Sequence, residues 1–223
     1  MKAKTLQFDK PVTLVGGGAL DRQALLSALA VAPVLVAADG AADHVAAMGH
    51  SPSAIVGDLD SLTDPDIWSE RATLIHLTEQ DTTDFEKCLY SIEAPHFLAV
   101  GFTGGRMDHT LAVLHGMLRS PESTVTLLGE KEAMAFLPAE RVINLDVEVG
   151  DTISLFPVLS ARGVASFGLE WPITGLEFAP GRQIGTSNRA IASQVRVHVD
   201  GVGVLLMMPR DRLIALLAGV HGV

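Results

Sequence analysis

The sequence predicts an α/β fold: an N-terminal, mostly parallel sheet with helices on both faces, followed by a C-terminal all-β, sandwich-like domain. Three observations carry this. Short, near-continuous apolar runs alternate with helix-period segments up to Leu128, the pattern of a sheet buried on both sides. After Gly129 short segments of alternating polarity follow, punctuated by Gly or Pro, which is the all-β pattern. Each of the first five apolar runs also ends in a polar or glycine-rich turn.

Taken in order, residues 12–15 form a first strand ending in Gly16-Gly17-Gly18. Residues 19–31 read as a helix, with Leu20, Ala24, Leu25, Ala28 and Leu29 on one face. Residues 34–37 are a second strand, ending at Asp39-Gly40, and residues 41–48 a short Ala-rich helix that Gly49 terminates. Residues 54–56 are a third strand, leading into Gly57-Asp58-Leu59-Asp60-Ser61. Pro65 suits the first turn of a helix over residues 64–71. A fourth strand over residues 73–77 precedes a helix over residues 83–92, where Thr83-x-x-Glu86 matches a capping box. Residues 97–100 are a fifth strand, 101–106 a glycine-rich loop, 108–118 an apolar helix and 125–128 a sixth strand. Residues 1–129 therefore read as the α/β domain and 130–223 as the all-β domain, with segments at 133–137, 141–147, 152–157, 163–167, 190–199 and 202–207. No Pro- or Ser-rich linker separates the two.

Composition narrows the function. Apolar residues make up 48% of the 223, enough for a substantial core. A net charge of −10 and a pI near 5.1 argue against non-specific nucleic-acid binding, so an anionic substrate needs a local cation. The lone Cys88 excludes an intrachain disulfide, suits a reducing cytoplasm and sits in a helix-core pattern rather than a nucleophile's. The first ten residues lack a signal-peptide apolar run, and no stretch of 18 apolar residues predicts a membrane span.

The strand-end residues suit phosphate chemistry. Asp58 and Asp60, two positions apart at a strand's C-terminal end, can face one way. Their mutual repulsion would be offset by a hard divalent cation such as Mg²⁺, although an Asp-rich turn capping a helix gives the same pattern. Gly17 and Gly18 allow backbone N–H groups to approach an anion, or simply make a tight turn. There is no Walker A Gly-Lys-Ser/Thr, and Asp21 stands where a dinucleotide fingerprint needs glycine. Arg106 can reach a phosphate or remain a surface arginine. Asp84 and Lys87, one helical turn apart, can both face the sheet edge or pair with each other. Asp108 can serve the helix dipole, and His109 can be a base, a phosphate donor or a helix-start residue. His44, His50 and His198 lack metal-ligand spacing and read as structural.

The ordered segments Ala38-Asp39-Gly40-Ala41-Ala42, Gly57-Asp58-Leu59-Asp60-Ser61, Gln80-Asp81-Thr82-Thr83-Asp84-Phe85-Glu86-Lys87, Gly104-Gly105-Arg106-Met107-Asp108-His109 and Gly185-Thr186-Ser187-Asn188 resemble the thiamine pyrophosphokinase family. The resemblance implies transfer of diphosphate from ATP to thiamine with Mg²⁺, releasing AMP. It also implies a homodimer with sites at the subunit interface. It assigns ATP and metal to the first domain, and thiamine binding and dimerisation to the second. By motif, Asp58, Asp60 and Asp84 look like the Mg²⁺ and phosphate-handling carboxylates. Asp39, Gln80, Arg106 and Asp108 look like ATP- or thiamine-site residues, joined on the ATP side by Gly17, Gly18, Lys87 and His109. Ser187 and Asn188, expected on a loop, and Trp171 look like substrate-side residues. Ala41 departs from the family's usual second glycine. The rival readings are a diphosphokinase acting on a pterin-type hydroxymethyl compound and a non-catalytic thiamine- or nucleotide-binding regulator.

Overall fold

The computed structural model describes residues 5–139 and 141–222; the first four residues of the N-terminal stretch lie outside them. The chain divides into two compact units, the first ending at Glu130 and the second beginning at Lys131.

The first unit contains β1 (Leu6–Gln7), β2 (Val12–Val15), α1 (Arg22–Val31), β3 (Val34–Ala38), α2 (Ala41–Ala47), β4 (Ala54–Gly57), α3 (Pro65–Ser69), β5 (Thr73–His76), α4 (Asp84–Ser91), β6 (Ile92–Glu93), β7 (Phe97–Val100), α5 (Met107–Arg119) and β8 (Val125–Leu128). Its main sheet runs β8-β7-β2-β3-β4-β5, every pair parallel. β2, β4, β7 and β8 are buried along their whole length, as expected for strands covered on both faces. The chain steps outward from β2 to β5, then returns to place β7 on the other side of β2. That reversal is a topological switch point, and it leaves a crevice beyond the carboxyl ends of β2 and β7.

Local chemistry sets where the helices begin. The helix expected from residue 19 starts at Arg22, because the Asp21 side chain accepts from the backbone N–H groups of Gln23 and Ala24. Asp64 caps α3 ahead of Pro65 in the same way. The Thr83–Glu86 capping box forms in full at α4. Thr83→Ala should therefore lower stability by about 1 kcal/mol, read as a shift in the denaturant midpoint. Glu86 also accepts from Arg119 of α5 at 2.9 Å, so that one carboxylate joins two helices.

The second unit is antiparallel. It comprises β9 (Glu132–Phe136), β10 (Ile143–Asp146), β11 (Thr152–Pro157), β12 (Ala161–Phe167), β13 (Glu177–Phe178), β14 (Gly185–Arg189), β15 (Gln194–Val199), β16 (Val204–Pro209) and α6 (Leu213–Leu216), followed by a π-helical turn over Leu217–His221. β14, β11, β16 and β9 lie side by side, and β10, β15, β12 and β13 form a second set. β15 buries Val195, Val197 and Val199 and turns the residues between them outward, the period-two pattern read from the sequence. The strand expected over residues 190–199 starts only at Gln194. The segment expected as a loop at Gly185-Thr186-Ser187-Asn188 is strand β14. Its pairing with β11 shifts register between Ile153 and Leu155, and Ser187 has a positive φ of 58°. That irregularity explains why its sequence lacks a strand's alternation. Among the described residues, no helix is long and apolar enough to cross a membrane.

Candidate active site

The crevice is built first from glycine. Gly16 N–H donates to Val100 O at 2.9 Å, and Gly18 N–H to Gly101 O at 2.8 Å. A Cβ on Gly18 would lie 2.6 Å from Gly101 O, and one on Gly101 2.6 Å from Gly16 O. Only glycine permits this backbone-to-backbone approach of the turns after β2 and β7. Gly18 thereby spends its N–H on the fold. Gly17 has open space where its side chain would be and lines a cavity of about 790 Å³.

The acidic group comes from β3 and β4. Ala38 pairs with Val56, and Asp39 N–H donates to Val56 O at 2.9 Å. Asp39 has φ 47°, an uncommon backbone state for a residue other than glycine. A Cβ on Gly57 would lie 2.8 Å from the Asp39 Cβ, and one on Gly40 2.9 Å from Ser61 O. The two glycines thus let the ends of β3 and β4 close on each other and bring Asp39 beside Asp58 and Asp60. One carboxylate oxygen from each of the three lies within 4.8 Å of the other two. Asp39 is 6% exposed, and its Oδ1 is buried without a hydrogen-bond partner. Burial pushes its carboxyl above the usual range; a Ser61 hydrogen bond opposes this, and the charges of Asp84 and Asp58 add to it. Asp58 is instead lowered, chiefly by the Gln80 side chain donating to its Oδ2 at 2.9 Å. An orphaned buried carboxylate oxygen beside two further carboxylates fits a hard divalent cation with oxygen ligands.

Asp84, at the first position of α4, is outside that close trio. Lys87 Nζ pairs with it at 3.1 Å, one turn along the helix. Lys87 is 2% exposed. Burial pulls its ammonium down, but Asp84, Asp58 and Glu79 more than offset this and hold it above its usual value. The preceding loop is gathered by Glu79, whose carboxylate accepts from Asp81 N–H at 2.8 Å, Thr82 N–H at 3.1 Å and the Tyr90 hydroxyl at 2.6 Å.

Asp39, Asp58, Asp84, Gln80, Lys87, Arg106 and His109 all line the cavity with Gly17 and Gly18. Asp60 joins the acidic trio at its exposed rim. Asp108 is absent from the lining; its carboxylate grips Arg106, with Arg106 Nε donating at 3.1 Å. That hydrogen bond holds Asp108 down at about 2. Arg106 is thus committed to Asp108 here. Sequence reasoning missed Asp39 as a partner of Asp58 and Asp60, and took His44, which lines the cavity, as structural. Phe85 and Phe102, edge to face at 5.0 Å, add an apolar wall to the cavity; Phe102 belongs to none of the motifs.

In the second unit, Asn188 is buried and its amide bonds to neighbouring backbone. It donates to Trp171 O at 2.7 Å and accepts from Trp171 N–H at 3.1 Å and Arg189 N–H at 2.8 Å. It is a support for Trp171, which is 56% exposed. Ser187 is exposed, and its N–H donates to Ser154 Oγ at 2.9 Å.

The fold and site define a two-unit protein: a parallel α/β unit with an acidic cleft at its switch point, then an antiparallel β unit. Residues 25–128 match the family "Thiamin pyrophosphokinase, catalytic domain", and residues 140–202 match "Thiamin pyrophosphokinase, vitamin B1 binding domain". Thiamin pyrophosphokinase 1 of Caenorhabditis elegans is 30% identical over 178 residues, 72% of each chain. Thiamine pyrophosphokinase 1 of Arabidopsis thaliana is 28% identical over 68% of this chain and 63% of its own. The crystal structure of thiamin pyrophosphokinase from Candida albicans shares the fold with a TM-score of 0.74 at 16% identity, covering 93% of this chain and 92% of that one. The chain belongs to the thiamin pyrophosphokinase family.

Proposed function

We propose that this protein is a thiamine diphosphokinase: the thiamine hydroxyl attacks the β-phosphorus of ATP, the bond to the α-phosphate oxygen breaks, and AMP leaves. The observation that carries the reading is the Asp39, Asp58 and Asp60 trio, with its buried orphan oxygen, at the switch-point crevice of a chain in this family. Asp39, Asp58 and Asp60 would hold Mg²⁺, which supplies charge neutralisation along the phosphate chain. Gly17 presents backbone to the phosphates, and Lys87 brings a buried positive charge to the same wall. Arg106 reaches the phosphates once Asp108 yields it. Positioning both reactants could contribute ~7–11 kcal/mol. Asp84, which lines the cavity where Asp108 does not, is our candidate to receive the hydroxyl proton.

The match of residues 140–202 to a vitamin B1 binding domain supports thiamine over a pterin as acceptor. We assign Trp171 and Ser187 to the thiamine side. The retained carboxylates favour an enzyme over a regulator. We further propose a cytoplasmic location, in line with a single buried Cys88, and, from the family resemblance alone, a homodimer, testable by sedimentation. The deciding assay is AMP release from ATP, Mg²⁺ and thiamine, with a hydroxymethylpterin as comparison acceptor. Asp58→Asn and Asp84→Asn should each cut turnover about 10²-fold or more with unchanged circular dichroism. Full activity in both variants, or binding without AMP release by the unmodified protein, would overturn the assignment.

A further inference from the structure

The loop between β4 and α3 carries two of the three clustered carboxylates; apart from Gln80 Nε2 donating to Asp58 Oδ2 at 2.9 Å, the bonds within it hold it poorly. Leu59 has a positive φ of 64°, a state that branched and bulky residues avoid. Asp60 N–H reaches Asp58 Oδ1 only at 3.4 Å, and the Ser61 hydroxyl bonds to Asp60 beside it. Without a cation, the carboxylates of Asp39, Asp58 and Asp60 repel one another, which favours opening of this loop. Its far end is tied elsewhere. Thr63 donates twice to Asp43 Oδ2, from its backbone N–H at 2.8 Å and its hydroxyl at 3.0 Å. The Trp68 indole N–H donates to Asp43 Oδ1 at 2.9 Å, and Trp68 is itself 5% exposed.

Asp43 does not line the cavity. It lies on α2, which begins directly after Asp39-Gly40, and Ala42 N–H donates to Asp39 O at 3.1 Å. One carboxylate thus fastens the Asp58–Asp60 loop to the helix that follows Asp39. We propose that Asp43 is a positioning residue that holds Asp58 and Asp60 in register with Asp39, so that its three donors set the protein's affinity for a divalent cation. The inference rests on the reading that this trio holds the metal.

All three groups facing Asp43 are donors, so an asparagine amide cannot satisfy them in either orientation: its Nδ2 would meet Trp68 Nε1–H or Thr63. Asp43→Asn keeps the volume and removes the strap. Thr63→Val keeps the backbone bond and removes one, and Thr63→Ser keeps both. The experiment is titration of metal-free protein with Mn²⁺ alone, followed calorimetrically, alongside the Mg²⁺ dependence of AMP formation. Asp43→Asn should weaken Mn²⁺ binding about 10-fold or more. It should raise the Mg²⁺ needed for half-maximal rate in parallel, with kcat at saturating Mg²⁺ within about threefold of the unmodified protein. Thr63→Val should show a smaller shift and Thr63→Ser none. Unchanged Mn²⁺ affinity in Asp43→Asn, or a fall in kcat that saturating metal does not restore, overturns the positioning role alone. Failure of the unmodified protein to bind Mn²⁺ overturns the metal reading as well.

Discussion

Asp39→Asn is expected to abolish AMP formation and, at the same time, to raise the melting temperature of the metal-free protein near neutral pH. The carboxylate is buried with an unpartnered oxygen and faces the charges of Asp84 and Asp58. Its folded-state pKa is raised above the usual 3.8, so the ionised form costs the native state free energy that the unfolded chain does not bear. The sign follows. Well below 3.8 both states are protonated and the variant gains nothing. As pH rises from 3.8 through the raised value, the unfolded state ionises first and the unmodified protein loses stability. Asparagine escapes that loss, so the gap between the two melting temperatures should open across this window and then level off. Added Mg²⁺ should reverse the order, because only the unmodified protein gains from binding. A variant that melts lower at every pH would show that Asp39 serves packing; a fully active one would remove it from the metal group.

Lys87→Met should be nearly as damaging to turnover while affecting the fold less. Methionine replaces the buried stem with little change in volume, but removes the ammonium paired with Asp84 at 3.1 Å. The Asp84 side chain is 39% exposed, so water replaces the lost partner and the stability cost stays at about 1 kcal/mol. In the cleft, charge on the phosphate chain would lose a fixed cation in a site partly shielded from water, and kcat/KM should fall about 10²–10³-fold. An unchanged kcat/KM would make the Lys87–Asp84 pair a purely structural contact.

Much of the α/β unit was legible because its signals are local. The apolar runs at residues 97–100 and 125–128 are the observed strands, and Thr83-x-x-Glu86 is a cap whose partners lie within one turn. Signals failed where structure depends on distant partners. β14 is a strand because β11 supplies its hydrogen bonds, while Gly185-Thr186-Ser187-Asn188 has no β pattern of its own. The helix read from Ala19 starts at Arg22 because one aspartate side chain outcompetes the apolar periodicity.

The candidate site divides along the same line. Sequence alone determined which residue types stand at the strand ends, because a buried parallel strand is legible as an apolar run and its polar successors must emerge at one edge. It also carried the ordered motifs of the family. Only the tertiary structure decided who meets whom. Asp39 joins Asp58 and Asp60 because Gly57 and Gly40 let two strand ends touch. Asp84 pairs with Lys87, and Asp108 takes Arg106. Asn188 is spent on Trp171, and Asp43, bare of any motif, fastens the acidic loop. The physical reason is that a carboxylate's role depends on its burial and on the donors within about 3 Å, and both are set by chain segments far apart in sequence.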